Sequence, residues 1–300
     1  MHIPDSMLNG AVCPVTIAVA GLGVAAAGYV AKQSDVKPSP ARFAAVTSLI
    51  FALQMLNFPV QDGTSGHLLG AILGVSLLGI PFAVLAITIV LTVQAVFFGD
   101  GGINALGVNV INMGLVGAAL TGMVMNRLKG SKINDNILLG AASWFAVMAA
   151  ATACSFEVAA AGTVPFRKVL PAMLSVHALI GIGEAVLTVT VVHALKTCER
   201  IWSAYEKNFA FSAAGLAVLA ALVSPMASSS PDGLEWVAGK LSFQEFGAFD
   251  FPSLFPDYQA VFANGTALAT VAAGLIGVGL IFGLTFALGK VLNKSSLNLA

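Results

Sequence analysis

Long, nearly unbroken apolar runs dominate the chain, and short polar segments separate them. The runs are continuous and do not alternate residue by residue, which favours helices over β-strands with one face buried and one in water. A helix of about 20 apolar residues crosses the ~30 Å hydrocarbon core of a bilayer. The pattern therefore predicts an all-α, polytopic transmembrane helical bundle of about nine spans. The runs lie near residues 11–31, 42–57, 67–80, 82–98, 103–127, 136–159, 168–196, 208–227 and 263–289.

The third and fourth runs are short, and they meet at Gly79-Ile80-Pro81. One straight helix over both would be about 46 Å long at ~1.5 Å per residue, which exceeds the hydrocarbon core. We therefore expect two short spans that are joined by a turn at the proline. The alternative is a single long helix with a kink.

Composition supports a membrane protein, since 58% of the residues are apolar and only 9% are charged. A soluble domain carries about 25% charged residues. Backbone polar groups inside a bilayer must be paired internally, so spans are helices or closed barrels, and continuous runs favour helices. The formal net charge is zero, so the chain lacks the basic surface that nucleic-acid binding requires. The three cysteines form no CxxC pair and predict no disulfide framework.

The distribution of lysine and arginine predicts the orientation, because basic loops stay in the cytoplasm. These residues concentrate in segments 32–42, 127–132, 196–207 and 290–294. We therefore expect the N-terminus outside and the C-terminus inside. Arg167 and Lys168 depart from the rule, and we expect them to snorkel to the interface.

The most charged cytoplasmic loop, 197–207, divides the chain into two predicted modules. The first, residues 1–200, is a seven-span core. The second, residues 201–300, is a two-span hairpin with an acidic extracytoplasmic loop. The first ten residues lack the basic segment of a signal peptide, so we expect the N-terminus to be retained.

Two of the four histidines, His2 and His67, fall on the predicted outer side. The α-amine of Met1, the amide nitrogen of His2 and its imidazole Nδ1 can chelate one ion, and His67 could supply a fourth donor. Planar nitrogen coordination favours Ni(II) or Cu(II), allows low-spin Co(II), and suits tetrahedral Zn2+ poorly. The alternative is a solvated His2 and a His67 that caps a helix. The two histidines alone do not outweigh that alternative.

Several motifs resemble the CbiM/NikM family, the substrate-binding membrane components of cobalt and nickel energy-coupling-factor (ECF-type ABC) transporters. The N-terminal MHIPDSMLNG is similar to the family's N-terminal signature, and QMLNFPVQDGTSGHLLGA at 54–71 is similar to a second block. NMGLVG at 112–117 and HALIGIGEAVLT at 177–188 extend the similarity through the core. PDGLE at 231–235 resembles the mark of the accessory hairpin subunit, which would here be fused (NikN/CbiN-like).

The resemblance implies a metal site made of Met1, His2 and His67. It further implies that the chain captures Ni2+ or Co2+ from outside, as the transported substrate and with no organic cofactor. The expected membrane is the cytoplasmic membrane of a bacterium or archaeon. The expected partners are a transmembrane coupling subunit and ATPase subunits, besides membrane lipids.

Other polar residues leave alternatives open. Gln54 and Asn57 either orient His67 or the N-terminal segment, or are polar helix ends. His177 and Glu184 are two helical turns apart, so they share one face of a helix. They form either a proton or ion path or a hydrogen-bonded strut between helices, and we expect the strut.

The chain carries no nucleotide-binding motif, so it is not expected to be an enzyme. GLTFALGK at 283–290 has the wrong spacing and no following hydroxyl for a phosphate-binding loop. Any ATP hydrolysis would fall to separate subunits. The alternative function is a stand-alone channel or ion-coupled secondary metal transporter.

Overall fold

The computed structural model of this chain describes residues 2–201, 206–243, 251–260 and 265–294. These residues are mostly helical, as the apolar runs predict. The helices are α1 Val12–Gln33, α2 Pro40–Gln54, α3 Ala71–Leu78, α4 Ile80–Val93, α5 Leu106–Asn109, α6 Thr121–Leu128, α7 Asp135–Ala160, α8 Phe166–Ile201, α9 Glu206–Val223, α10 Gly233–Leu241 and α11 Ala267–Asn293.

Shorter elements extend or connect these helices. The π-helical segment Gln94–Phe98 continues α4, and Val110–Leu120 joins α5 to α6. Strand β1, Phe58–Pro59, pairs antiparallel with β2, Ser65–Gly66. Single 3-10 turns occur at Asp5–Met7, Ser224–Met226 and Pro256–Tyr258.

Among the described residues, seven helical stretches are long and apolar enough to cross a membrane. An eighth apolar helix, α2, has 15 residues and is shorter than these. Eleven of its residues are nevertheless buried, because it packs against α4, α9 and α11. We call residues 2–201 the core and the segment from α9 to α11 the accessory module; α9 and α11 both pack against α2.

The apolar run at 67–80 is short, as predicted, and only part of it is helical. Only Ala71–Leu78 is helical, and its 8 residues measure about 12 Å at ~1.5 Å per residue. The residues before it are non-helical, and Gly70 has a left-handed φ of 74° that glycine tolerates. The predicted turn is confirmed, because Gly79 separates α3 from α4 and Pro81 lies in the first turn of α4.

The non-helical segment before α3 has its backbone groups paired by side chains. The Glu184 carboxylate accepts hydrogen bonds from the N–H groups of Leu69 and Gly70, at 2.5 and 3.0 Å. Gln54 donates from Nε2 to the Leu69 carbonyl at 2.9 Å. Irregular backbone at membrane depth is tolerated only where protein groups satisfy it. The expectation that Glu184 is a strut is confirmed, and the strut supports the chain next to His67.

Candidate metal centre

The first residues of the chain are inserted into the bundle. Only 9% of the His2 surface and 0% of the Ile3 surface is exposed. Asn109 clamps Ile3, because its Oδ1 accepts the Ile3 N–H at 2.8 Å and its Nδ2 donates to the Ile3 carbonyl at 3.1 Å. The Gly102 N–H donates to the same carbonyl at 3.0 Å. The alternative of a solvated His2 is therefore wrong, since these bonds hold the N-terminal segment below the surface.

Further contacts anchor the segment on both sides. Asp5 accepts hydrogen bonds from the Ala105 N–H at 2.9 Å and from Asn104 Nδ2 at 3.1 Å. Thr163 donates from its hydroxyl to the Met7 carbonyl at 2.7 Å. A side chain at Gly102 would collide with Asp5, so this position has to be glycine. Two loops of the core thus fix the path of the N-terminus.

The rings of His2 and His67 are stacked, with centroids 5.0 Å apart and planes inclined by 19°. His67 donates from Nδ1 to the Leu68 carbonyl at 3.0 Å. That bond leaves the lone pair on Nε2, which faces Asp232 Oδ2 at 3.8 Å. Metal-binding histidines commonly donate their second nitrogen to a carbonyl in this way. His67 therefore has the tautomer that a metal ligand through Nε2 requires.

His2 is held by a carboxylate. Its Nδ1 donates to Asp100 Oδ1 at 2.6 Å, while its buried Nε2 has no hydrogen-bond partner among the described residues. Burial alone would raise the pKa of Asp100, but the charge and hydrogen bond of His2 outweigh it and hold that pKa below its usual range. The predicted chelate uses Nδ1, so an ion that binds there has to displace Asp100 from it.

A cavity of about 590 Å³ opens beside the two histidines, between the core and the accessory module. Four carboxylates line it, and none of its described lining residues is a lysine or arginine. An ion with six waters occupies roughly 180 Å³ at ~30 Å³ per water. A hydrated divalent cation therefore fits. The carboxylates belong to Asp100, Asp232, Glu235 and Asp257.

The remaining predicted site residues lie at or near this cavity. Gln54 and Asn57 both line it. Gln54 donates a hydrogen bond to the Leu69 carbonyl, close to His67 in the chain. This contact is the kind expected if Gln54 orients His67. The Asn57 carbonyl accepts the Ser228 N–H at 2.8 Å, so its backbone ties the core to the accessory module. Met1 lies outside the described residues.

Among the described residues, no group of three or more His, Cys, Asp or Glu side chains has metal-binding geometry. The predicted donor set contains only two such side chains, because its other donors are the terminal amine and a backbone amide.

The PDGLE motif forms a capping box at the start of α10. Asp232 Oδ1 accepts the N–H groups of Leu234 and Glu235 at 2.8 and 2.9 Å, and Glu235 Oε2 accepts the Asp232 N–H at 2.9 Å. The Pro231 carbonyl accepts the Ser65 N–H at 2.8 Å, which docks the motif onto β2. The second oxygen of Asp232 is directed at His67. The D-x-x-E spacing predicts this cap, but only the fold brings it to the histidine.

The chain is similar to known families and proteins over most of its length. Residues 2–202 match the family described as "Cobalt uptake substrate-specific transmembrane region" (CbiM), and residues 207–294 match the PDGLE domain. The chain is 32% identical to a putative fused nickel transport protein NikMN of Archaeoglobus fulgidus, over 97% of this chain and 98% of that protein. It is 30% identical to a probable fused nickel transport protein LarMN of Lactiplantibacillus plantarum, over 95% of this chain and 97% of the relative.

A solved structure supports the fold of the core. The crystal structure of a transition metal transporter superposes with a TM-score of 0.60 at 30% identity. The superposition covers 67% of this chain and 94% of the other.

Proposed function

Because this chain belongs to the CbiM family and carries a PDGLE domain after it, we propose that it captures Ni2+ or Co2+ from outside the cell. It would do so as the substrate-specific component of an ATP-driven ECF-type importer. The family is one of nickel and cobalt transport proteins, and the chain is a multi-pass membrane protein, not an enzyme.

The proposed ligands are the Met1 amine, the His2 amide and imidazole Nδ1, and the His67 imidazole Nε2. The stacking of His2 on His67 at the edge of the cavity carries this proposal, because it brings together two imidazoles from distant parts of the chain. Neutral nitrogen donors and a deprotonated amide exclude hard cations such as Mg2+, which prefer oxygen. Nickel or cobalt would exchange its water for these nitrogens.

The proposed topology has nine crossings, with the N-terminus outside and the C-terminus inside. The third crossing combines the non-helical residues before α3 with α3 itself, so that neither part spans alone. The division at 200 and 201 separates a seven-crossing core from the two-crossing accessory module. The basic segments 32–42, 127–132, 196–207 and 290–294 support this orientation, in the cytoplasmic membrane of a bacterium or archaeon.

ATP-driven uptake by this chain would need ATPase partners, since the sequence carries no phosphate-binding loop. We infer a transmembrane coupling subunit and ATPase subunits, which would reorient the bundle and release the ion inside. The stand-alone channel or ion-coupled transporter would use Glu184 and His177 as its path. Both Glu184 oxygens accept backbone N–H groups, and His177 donates to the Met173 carbonyl at 2.8 Å, so both side chains have structural partners.

Uptake of radioactive nickel and cobalt into vesicles tests this assignment. Vesicles with this chain, the coupling subunit and the ATPase subunits should accumulate metal when ATP is supplied. His2→Ala should abolish that uptake, and omission of the ATPase should do the same. Uptake by this chain alone, driven by an ion gradient and lost in Glu184→Gln, would instead identify a secondary transporter.

A further inference from the structure

Tyr258 extends from the accessory module into the core in an unusual backbone conformation. It ends the 3-10 turn Pro256–Tyr258, and both Asp257 and Tyr258 have positive φ values, 51° and 57°. A bulky side chain rarely adopts the left-handed region. Such strain persists only where surrounding contacts hold it, and it concentrates at functional sites.

The contacts of Tyr258 lead to the metal centre. Its hydroxyl donates to Asp100 Oδ2 at 2.5 Å and accepts from Gln94 Nε2 at 3.1 Å. Its ring stacks on Phe98, with centroids 4.9 Å apart and planes inclined by 26°. The other oxygen of Asp100 holds His2 Nδ1 at 2.6 Å. Gln94, Tyr258, Asp100 and His2 thus form one continuous chain of hydrogen bonds, in which Tyr258 is the member from the accessory module.

We propose that Tyr258 is a positioning residue for metal capture, acting on His2 through Asp100. The inference rests on the metal site proposed above. Binding through His2 Nδ1 requires the proton on that nitrogen to transfer to Nε2 or to solvent, and its hydrogen bond to Asp100 to break. The Tyr258 hydroxyl shares the negative charge of Asp100, and it stays bonded to Asp100 after that bond breaks. Without the hydroxyl, breaking the bond leaves a half-buried carboxylate poorly paired, which is unfavourable.

This inference assigns a direct part in metal capture to the accessory module. A module that only stabilised the core could be replaced at Tyr258 by any residue of similar shape. A module that controls Asp100 needs the hydroxyl itself. The two cases differ by one oxygen atom, which a single substitution removes.

The test is nickel titration of the full-length protein with Tyr258→Phe, which keeps the ring on Phe98 and removes only the hydroxyl. Nickel affinity should fall by about 10–100-fold, as is typical for partners that orient metal ligands. The variant should remain folded with a somewhat lower thermal stability, because the buried Nε2 of Gln94 loses its acceptor. Tyr29→Phe is the matched control, because Tyr29 is 68% exposed on α1 and loss of the same oxygen there should leave nickel affinity unchanged.

A double variant tests the route through Asp100. If Tyr258 acts through that carboxylate, Tyr258→Phe should cause little further loss in an Asp100→Asn background, and the nickel absorption bands should not shift further. Losses that multiply in the double variant would overturn the route. An unchanged affinity in Tyr258→Phe, alongside loss of binding in His2→Ala, would overturn the positioning role alone. Undiminished binding in His2→Ala would overturn the metal site itself.

Discussion

The imidazole rings of His2 and His67 lie stacked with centroids 5.0 Å apart, although one begins the chain and the other precedes a short buried helix. Two separate backbone supports produce this contact. Asn109 holds the N-terminal segment through Ile3, and Glu184 holds the segment that follows His67. The geometry of the proposed metal centre therefore depends on polar residues that do not bind the metal.

Acetylation of the Met1 amine should abolish nickel binding. The proposed chelate uses the Met1 amine and the His2 amide in one five-membered ring, and an acetylated amine has no lone pair to give to the ion. Calorimetric titration of protein acetylated at its terminal amine measures the effect, with protein left unacetylated as the control. Equal binding by both forms would exclude the terminal amine as a ligand.

Glu184→Gln should destabilise the protein by about 1–3 kcal/mol, the cost of leaving a buried donor without its acceptor. Glutamine replaces one accepting oxygen by a donor that would face a backbone N–H of Leu69 or Gly70. Thermal unfolding measures the loss, and nickel affinity should fall with it because His67 is displaced.

Glu157→Gln provides the comparison for Glu184. Glu157 is also on a membrane-spanning helix, but its partner is Asn112, at 2.7 Å, and it does not touch the chain around His67. Its nickel affinity should match the wild type. A loss of affinity as large as in Glu184→Gln would contradict the local role of Glu184.

Gly233→Ala should weaken the docking of the accessory module. A methyl group there would lie 2.8 Å from Ile180 Cδ1 and 2.9 Å from His177 Cε1, so the PDGLE turn would have to move away from α8. We expect a loss of about 1–3 kcal/mol in thermal unfolding and weaker nickel binding.

Gly239→Ala is the matched control in the same helix, since nothing lies within 4 Å of its added methyl group. Alanine in a helix is more stable than glycine by about 1 kcal/mol. Gly239→Ala should therefore unfold at the same temperature as the wild type or higher. If both variants were equally destabilised, the close contact with His177 would not be the cause.

The sequence predicts much of the helical framework because long apolar runs reflect the thickness of the bilayer directly. It does not predict the short α3, since hydropathy records which residues are apolar and not whether their backbone is helical. Leu68, Leu69 and Gly70 are apolar like a span, yet the left-handed Gly70 and the Glu184 carboxylate keep them out of the helix. His67 lies at the start of this non-helical segment, inside the bundle.

The sequence also does not predict the polar side chains that contact His2 directly or through another residue, for a related reason. Asp100 and Tyr258 belong to short loops of different modules, and no local spacing connects them. The paired glycines after Asp100 were a usable signal, since Gly101 has a φ of 83° and Gly102 lies against Asp5. Hydrogen-bond networks between distant loops appear only once the helices are assembled.

The most direct test of the central claim is calorimetric titration of Ni2+ into the full-length protein after removal of bound metal. The wild type should bind one ion per chain, and His2→Ala and His67→Ala should each abolish that binding. His193→Ala is the matched control, because His193 is exposed on α8 and should not alter the affinity. Wild-type affinity in both His2→Ala and His67→Ala would contradict capture of the metal by the N-terminus and His67.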